Sequence, residues 1–256
     1  MLGFISVAHA AEESGLKIAL KAEPVFMVGD FGITGTLILT WVIVGLLATF
    51  AFLIGSNIRK IPSRTQAFFE MVFGALLDYM ESVLESRTLA LRFFPLITTL
   101  FIFILFANWF GLLPGIKDLM VATGDGWTYL FHPITTDLNT TIALALISFV
   151  VIEVAGVSML GILKYGGKFV NFKSVIGFLV GIIELISELA RLIAFSFRLF
   201  GNMFAGKILI LVIMFFVPLL VPVPILLFEV FVGFIQAAIF ALLTLFFIKI
   251  AIAEPH

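Results

Sequence analysis

An all-α integral membrane protein with five transmembrane helices is the fold this sequence predicts, and three observations lead there. Hydrophobic residues make up 62% of the 256 and charged residues 12%, against about 45–50% and about 25% in a soluble domain. Mean hydropathy is +1.24, so the chain lacks the polar surface to cover itself in water. Apolar runs of the about 20 residues that cross a ~30 Å hydrocarbon core recur five times along it.

The composition also excludes function classes. A net charge of −1 gives no basic field for nucleic acid. With no cysteine there is no disulfide framework, thiolate metal site or cysteine nucleophile. His9, His132 and His256 have no metal-ligand spacing. Neither metal nor cofactor is expected, and His132 reads as a plain loop residue.

Residues 1–33 are expected to form an N-terminal segment outside the membrane, and 34–256 a single transmembrane domain. Ala8-His9-Ala10 ends the N-terminus like a small-residue cleavage site. Its apolar stretch is only about seven residues, without a basic n-region, which argues against a cleaved signal. The first span runs over about Thr34–Gly55, the second over Phe93–Leu113 and the third over Thr140–Leu163. Between the first two, over about 66–86, Gln66, Glu70, Asp78, Glu81 and Glu85 share about 120° of a helical wheel. Phe68, Phe69, Val72, Leu76 and Met80 fill the rest. This is an amphipathic helix on the cytoplasmic side. Its acidic face suits a protein partner better than anionic lipid, and a solvated face is the alternative.

The fourth span, Val175–Phe216, would be about 60 Å long as one helix. It is therefore expected to be steeply tilted or broken. The fifth, Val223–Ala253, follows a Pro-rich turn over Val217–Pro224. The irregular material lies chiefly in Pro114–Thr136. Loop charges alternate along the chain: an acidic tail, then Arg59, Lys60 and Arg64, then acidic Asp118, Asp125 and Asp137, then Lys164, Lys168 and Lys173. By the positive-inside rule the N-terminus is outside and the C-terminus cytoplasmic. A multi-pass membrane protein is the reading, with lipid as one partner and nucleic acid as none; the family resemblance below implies a bacterial-type inner membrane.

Charges inside a span cost about 2.5–3.5 kcal/mol each at a helix centre and are functional hypotheses by default. The fourth span carries Glu184, Glu188, Arg191, Arg198 and Lys207; the third adds Glu153, and the fifth Glu229 and Lys249. Glu184, Arg191 and Arg198 are seven apart, and Glu188 and Asn202 continue that stripe. Glu184, Glu188 and Arg191 suit an internal ion cluster through i,i+3 and i,i+4 contacts. Arg198 has no carboxylate three or four residues away, and an arginine stays charged in a protein. Its partner is then on another chain, or moves; the alternative is a buried pair with Glu153 or Glu229. In an antiparallel hairpin turning near Val217–Pro218, one register sets Arg198 level with Gln236 and Lys207 level with Glu229. Arg198 and Lys207 lie about 180° apart on an ideal helix, so both cannot face the fifth span. Asn108, Asp137 and Asn139 stand near the outer ends of the second and third spans, as vestibule lining, helix caps or interhelical hydrogen bonds.

A stand-alone secondary transporter or ion channel is the main alternative, and it predicts an internal repeat that these spans lack. A scaffold gives Arg198 no purpose. An enzyme is least favoured, because no helix carries a nucleophile–base constellation or H-E-x-x-H.

Ser196-Phe-Arg-Leu-Phe-Gly-Asn-Met-Phe-Ala-Gly206 resembles the arginine motif of subunit a of the F-type ATP synthases. Ile235-Gln-Ala-Ala-Ile-Phe240 and Asn108-Trp-Phe-Gly-Leu-Leu-Pro114 support it in order and spacing. The resemblance covers nearly all of the chain after the first span, and the arginine motif is its specific part. It implies a non-catalytic, ion-translocating stator subunit packed against a rotating ring of c subunits, each with a membrane carboxylate, and held by peripheral-stalk b subunits. Arg198 then matches the arginine that attracts the deprotonated carboxylate and separates two half-channels. Gln236 and Asn202 match its polar neighbours, Asn108 and Glu229 the outer half-channel, and Glu184 the inner one. Lys207 departs from the carboxylate or histidine many members carry. Lysine's reference pKa of about 10.4 makes a poor relay unless desolvation lowers it, which leaves Lys207 to tune Glu229 electrostatically.

Overall fold

The computed structural model describes residues 24–56, 58–113, 115, 119–123, 126–169, 175–217 and 221–253. The cleavage-site reading and the tail charges before Pro24 lie outside them. Seven α-helices make up most of the described chain, and five of them are long and apolar enough to cross a membrane.

Ahead of the first span stands a short antiparallel hairpin, β1 (Pro24–Val28) and β2 (Phe31–Thr34). Gly29 makes its turn at φ +63°, a conformation that costs glycine little. Helix α1 (Gly35–Ser56) follows at once. A side chain at Gly35 would run into the carbonyl oxygen of Leu130 and the amide of His132, so only glycine lets the helix start this close to that loop. Leu39 and Ile43 of α1 pack with Ala107 and Ile134, while Trp41, Phe52 and Leu53 face outward. In lipid such an apolar exterior costs nothing.

Helix α2 (Arg64–Leu84) is the expected amphipathic helix, displaced by two residues. The Ser63 hydroxyl caps its start by accepting from the Gln66 amide at 3.3 Å. It ends at Glu85, whose φ of +55° turns the chain. Met80, Val83 and Leu84 bury its apolar face, and Glu70, Asp78 and Glu85 remain exposed. The second span, α3 (Arg87–Leu112), begins six residues before the expected Phe93. Ser86 caps it, and Arg87 and Arg92 hide the helix start from a hydropathy reading.

The stretch expected to be irregular contains a second hairpin, β3 (Met120–Thr123) with β4 (Gly126–Tyr129), and a 3₁₀ turn over Ile134–Thr136. Asp137 then caps α4 (Leu138–Leu160) by accepting from the Asn139 amide at 3.0 Å. The third span stops at Leu160, short of the expected Leu163. Gly161, at φ +81°, breaks it, and α5 (Ile162–Phe169) folds back to lay the Tyr165 ring against Gly156.

Of the two alternatives for the fourth span, the chain takes the unbroken one: α6 (Val175–Phe216) is a single helix of 42 residues. Helix α7 (Pro222–Ile252) starts with proline in its first turn, where the missing N–H has no helical partner to lose.

Strand hairpins, the 3₁₀ turn and the start of α7 lie toward one end, called here the hairpin side; α2, α5 and the end of α7 gather at the other, the α2 side. Helix α7 is the centre. At the α2 side Met80, Ile97, Ile152, Leu245 and Ile248 form one core. Ile104, Ala145, Phe195, Leu199 and Phe240 form the next, around mid-height. Lys249 donates to Glu85 at 2.7 Å, tying the end of α7 to the end of α2.

Candidate functional site

Helix α6 has two faces that its sequence periodicity dictates. Phe195, Leu199, Met203 and Ile210 are buried against α4 and α7, and Phe197, Arg198, Asn202 and Leu209 point out. Arg198 therefore lies on the exterior of a membrane-spanning helix. No carboxylate among the described residues sits within ion-pair distance of it, which sets aside a pair with Glu153 or Glu229. Asn202 donates to the Arg198 carbonyl at 3.1 Å, one turn on along the same face. Arg198, Arg191 and Ser187 line a groove of about 330 Å³ with Leu243 and Phe247 of α7.

The α6–α7 hairpin has the expected register. Phe195 and Phe240 pack with ring centroids 4.9 Å apart, and the Glu229 carboxylate lies against Gly206, whose missing side chain makes the space for it. Arg198 is thus level with the Gln236–Ala237 step, and Lys207 follows directly on the residue that Glu229 touches. Glu229 and Gln236 share the buried face of α7 with Gly233.

That face meets α3. The Asn108 amide donates to the Gly233 carbonyl at 2.9 Å, and the Trp109 indole donates to the Val230 carbonyl at 3.0 Å. Asn108 Oδ1 and Glu229 Oε2 are both buried without a hydrogen-bond partner among the described residues. Buried oxygens normally have one, and these two belong to facing helices, α3 and α7.

Toward the hairpin side the polar track continues. Asp137 is buried and accepts from Thr36 Oγ1 at 3.1 Å. Thr141 and Ser196 join α4 to α6 through hydroxyls 3.2 Å apart. His132 is no plain loop residue: its Nε2 is 3.4 Å from Thr136 Oγ1, and its pKa is pushed down to about 4. Burial is the main cause, the Lys207 charge adds to it, and Asp137 opposes both. The chemistry of this end is thus Asn108, Glu229, Lys207, His132 and Asp137 in one sector. Thr36, Thr141, Ser196 and His132 were missed from sequence. The threonine-rich run Ile134-Thr-Thr-Asp-Leu-Asn-Thr-Thr141 ahead of a span was the available signal.

The polar stripe expected along α6 splits at the α2 side. Glu188 turns inward, 3% exposed, and receives Arg191 at 2.6 Å, while Arg191 also stacks over the Phe247 ring at 4.0 Å. Of the expected Glu184–Glu188–Arg191 cluster, the Glu188–Arg191 pair is formed. Glu184 is half-buried two turns before Arg191. Behind Glu188, the buried Tyr165 interacts with Glu153, and desolvation is the first cause that pushes the Tyr165 hydroxyl pKa up, so it stays protonated.

A family model described as ATP synthase A chain matches residues 37–249. ATP synthase subunit a of Syntrophobacter fumaroxidans is 36% identical over 96% of this chain and 95% of its own. The subunits a of Geotalea daltonii and Geobacter sulfurreducens are 33% and 32% identical, each over 85% of this chain and 87% of its own. A match of that length, carried by a five-span chain with an exposed membrane arginine, makes this polypeptide a multi-pass membrane protein that belongs to the ATP synthase A chain family.

Proposed function

We propose that this chain is the ion-translocating, non-catalytic stator subunit of an F-type ATP synthase membrane sector. It faces a rotating c-ring across the exposed side of α6 and couples proton flow to rotation and ATP synthesis. The observation that carries this reading is Arg198, a permanent cation on the outside of a membrane helix with no carboxylate partner among the described residues. Such a charge is costly against lipid, and an anion supplied from outside the chain offsets that cost.

The energetics suit a moving partner. At an effective dielectric near 20, opposite charges 4 Å apart attract by about 4 kcal/mol. That favours ionisation of a ring carboxylate passing Arg198. A membrane potential supplies ~2.3 kcal/mol per charge per 100 mV, enough to help the next step pull it away. Asn202 and Gln236 flank the crossing point. Asn108 and Glu229 lead ions to it from the hairpin side, taken as outer, with Lys207 tuning Glu229; Glu184 belongs to the exit on the inner side. The acidic face of α2 receives peripheral-stalk b subunits. The loop charges put the N-terminus outside and the C-terminus in the cytoplasm, in a bacterial-type inner membrane.

The test is Arg198→Ala in vesicles carrying the assembled complex, with ATP-driven pumping and passive leak recorded together. Loss of pumping with added leak is expected. Normal coupled pumping by an assembled variant would refute the ring-facing role.

A further inference from the structure

The groove holds two arginines, and the ring carriers must answer to one of them. Arg191 stands two turns from Arg198 along α6, about 10 Å toward the α2 side, and lines the same groove. A carboxylate that leaves Arg198 toward the α2 side would next meet a second cation. The structure shows why Arg191 is not an equivalent attractor. Its guanidinium is held at 2.6 Å by Glu188, whose side chain is 3% exposed, and its central carbon sits over the Phe247 ring, 4.0 Å from the centroid. Arg198 has neither restraint among the described residues.

We infer that Glu188 is a positioning residue that neutralises Arg191, so that Arg198 alone in the groove captures the ring carboxylate. This rests on α6 being the ring-facing helix. The pair is well built for the task. The bond from the arginine to a buried carboxylate within one turn is charge-assisted and short, and Phe247 of α7 adds a cation–π contact to the same guanidinium. The buried Tyr165 lies close enough to feel the charges of both Glu188 and Arg191. The pair thus sets where the crossing point is along α6: at Arg198, one register only.

The experiment uses the whole complex in inverted vesicles, with assembly, ATP-driven pumping and passive leak measured for each variant. Glu188→Gln releases Arg191 as a second attractor. Pumping is expected to fall about tenfold, the equivalent of about 1.4 kcal/mol of extra hold on the ring carboxylate, with leak unchanged. Glu188→Gln/Arg191→Gln is expected to recover most of that loss. Breaking a buried pair also leaves an uncompensated charge, so a second comparison leaves the pair intact. Ala194, between the two arginines on the groove wall, becomes Lys or Gln, side chains of similar length. Ala194→Lys is expected to pump several-fold more slowly than Ala194→Gln, and this comparison decides alone if Glu188→Gln fails to assemble. Wild-type pumping by an assembled Glu188→Gln, no recovery in the double variant, or equal rates for the two Ala194 variants would overturn the inference. Loss of pumping in Arg198→Ala alongside any of these leaves the ring-facing reading standing; normal pumping in Arg198→Ala removes both.

Discussion

Gly206→Ala separates two things that most substitutions confuse, the stability of α6 and the placement of the Glu229 carboxylate. A methyl group at Gly206 would overlap the Glu229 carboxylate, whose three end atoms are its nearest neighbours. All three belong to a side-chain end, so the strain falls first on a flexible group. In mid-helix, alanine gains about 0.8–1 kcal/mol over glycine. Forcing the Glu229 carboxylate off its rotamer costs about 0.5–1.5 kcal/mol. The two nearly cancel, and the variant should fold and assemble with stability within about 1 kcal/mol of the wild type. Function should not cancel. The carboxylate must retreat by about 1 Å, a displacement that costs up to about 10²-fold where groups must be held in place. Dye-quenching measurements of ATP-driven pumping in inverted vesicles, normalised to assembled complex, should show a loss of at least about tenfold. Gly206→Ala/Glu229→Asp, with a side chain one methylene shorter, should regain part of it. Gly45→Ala, on a face of α1 with nothing within 4 Å of the added methyl, should pump normally. Full pumping by Gly206→Ala would show that the position of the Glu229 carboxylate is immaterial.

Asp137→Ala removes both the cap of α4 and the acceptor of the Thr36 hydroxyl, and should destabilise the chain by about 1–3 kcal/mol; a lower thermal midpoint of the solubilised complex checks this, and Asp137→Asn should recover the cap. His132 has a folded pKa of about 4 against 6.5 for the free side chain, so the folded chain binds fewer protons between those values. Stability should therefore be full above pH 6.5, fall as the pH drops toward 4 and level off below it, by about 1–2 kcal/mol after allowance for solvent screening. The difference in thermal midpoint between wild type and His132→Gln, followed from pH 7 to 4, measures it; a pH-independent difference would refute the burial of His132.

The five spans were legible because a helix in lipid must be apolar all round and long, and a hydropathy reading sees both. What that reading loses is the helix that begins in polar residues, as α3 does at Arg87. It also loses the helix stopped by one backbone conformation, as α4 is at Gly161. The two strand hairpins were missed because each strand has only four or five residues, too few for alternation to register. Arg198 stood out by charge alone. The register of the hairpin was legible too, since the side chains that must meet lie at matching distances from the turn. The Glu188–Arg191 pair was legible from its i,i+3 spacing, but the depth of Glu188 was not. Only packing against α4 and α5 shows that it turns inward. His132 fails for the same reason, because its surroundings include the start of α1 and the charge of Lys207 on α6, both far away in sequence.

The bond from Lys249 to Glu85 has a mechanical consequence. Drag applied sideways to the exposed face of α6 passes into α7 through the Phe195–Phe240 contact. Helix α7 is a stiff rod of 31 residues, and its far end is gripped by α2 through the Met80–Ile248 core as well as by that ion pair. The core resists shear, because sliding one helix past another would open voids that close packing forbids. An exposed pair alone holds about 0–1 kcal/mol and would slip. Load entering α6 at mid-height therefore leaves through α2, whose acidic side chains Asp78 and Glu81 are themselves held by Arg87 at the start of α3. A partner that gripped the exposed side of α2 would hold the whole helical bundle against such a drag.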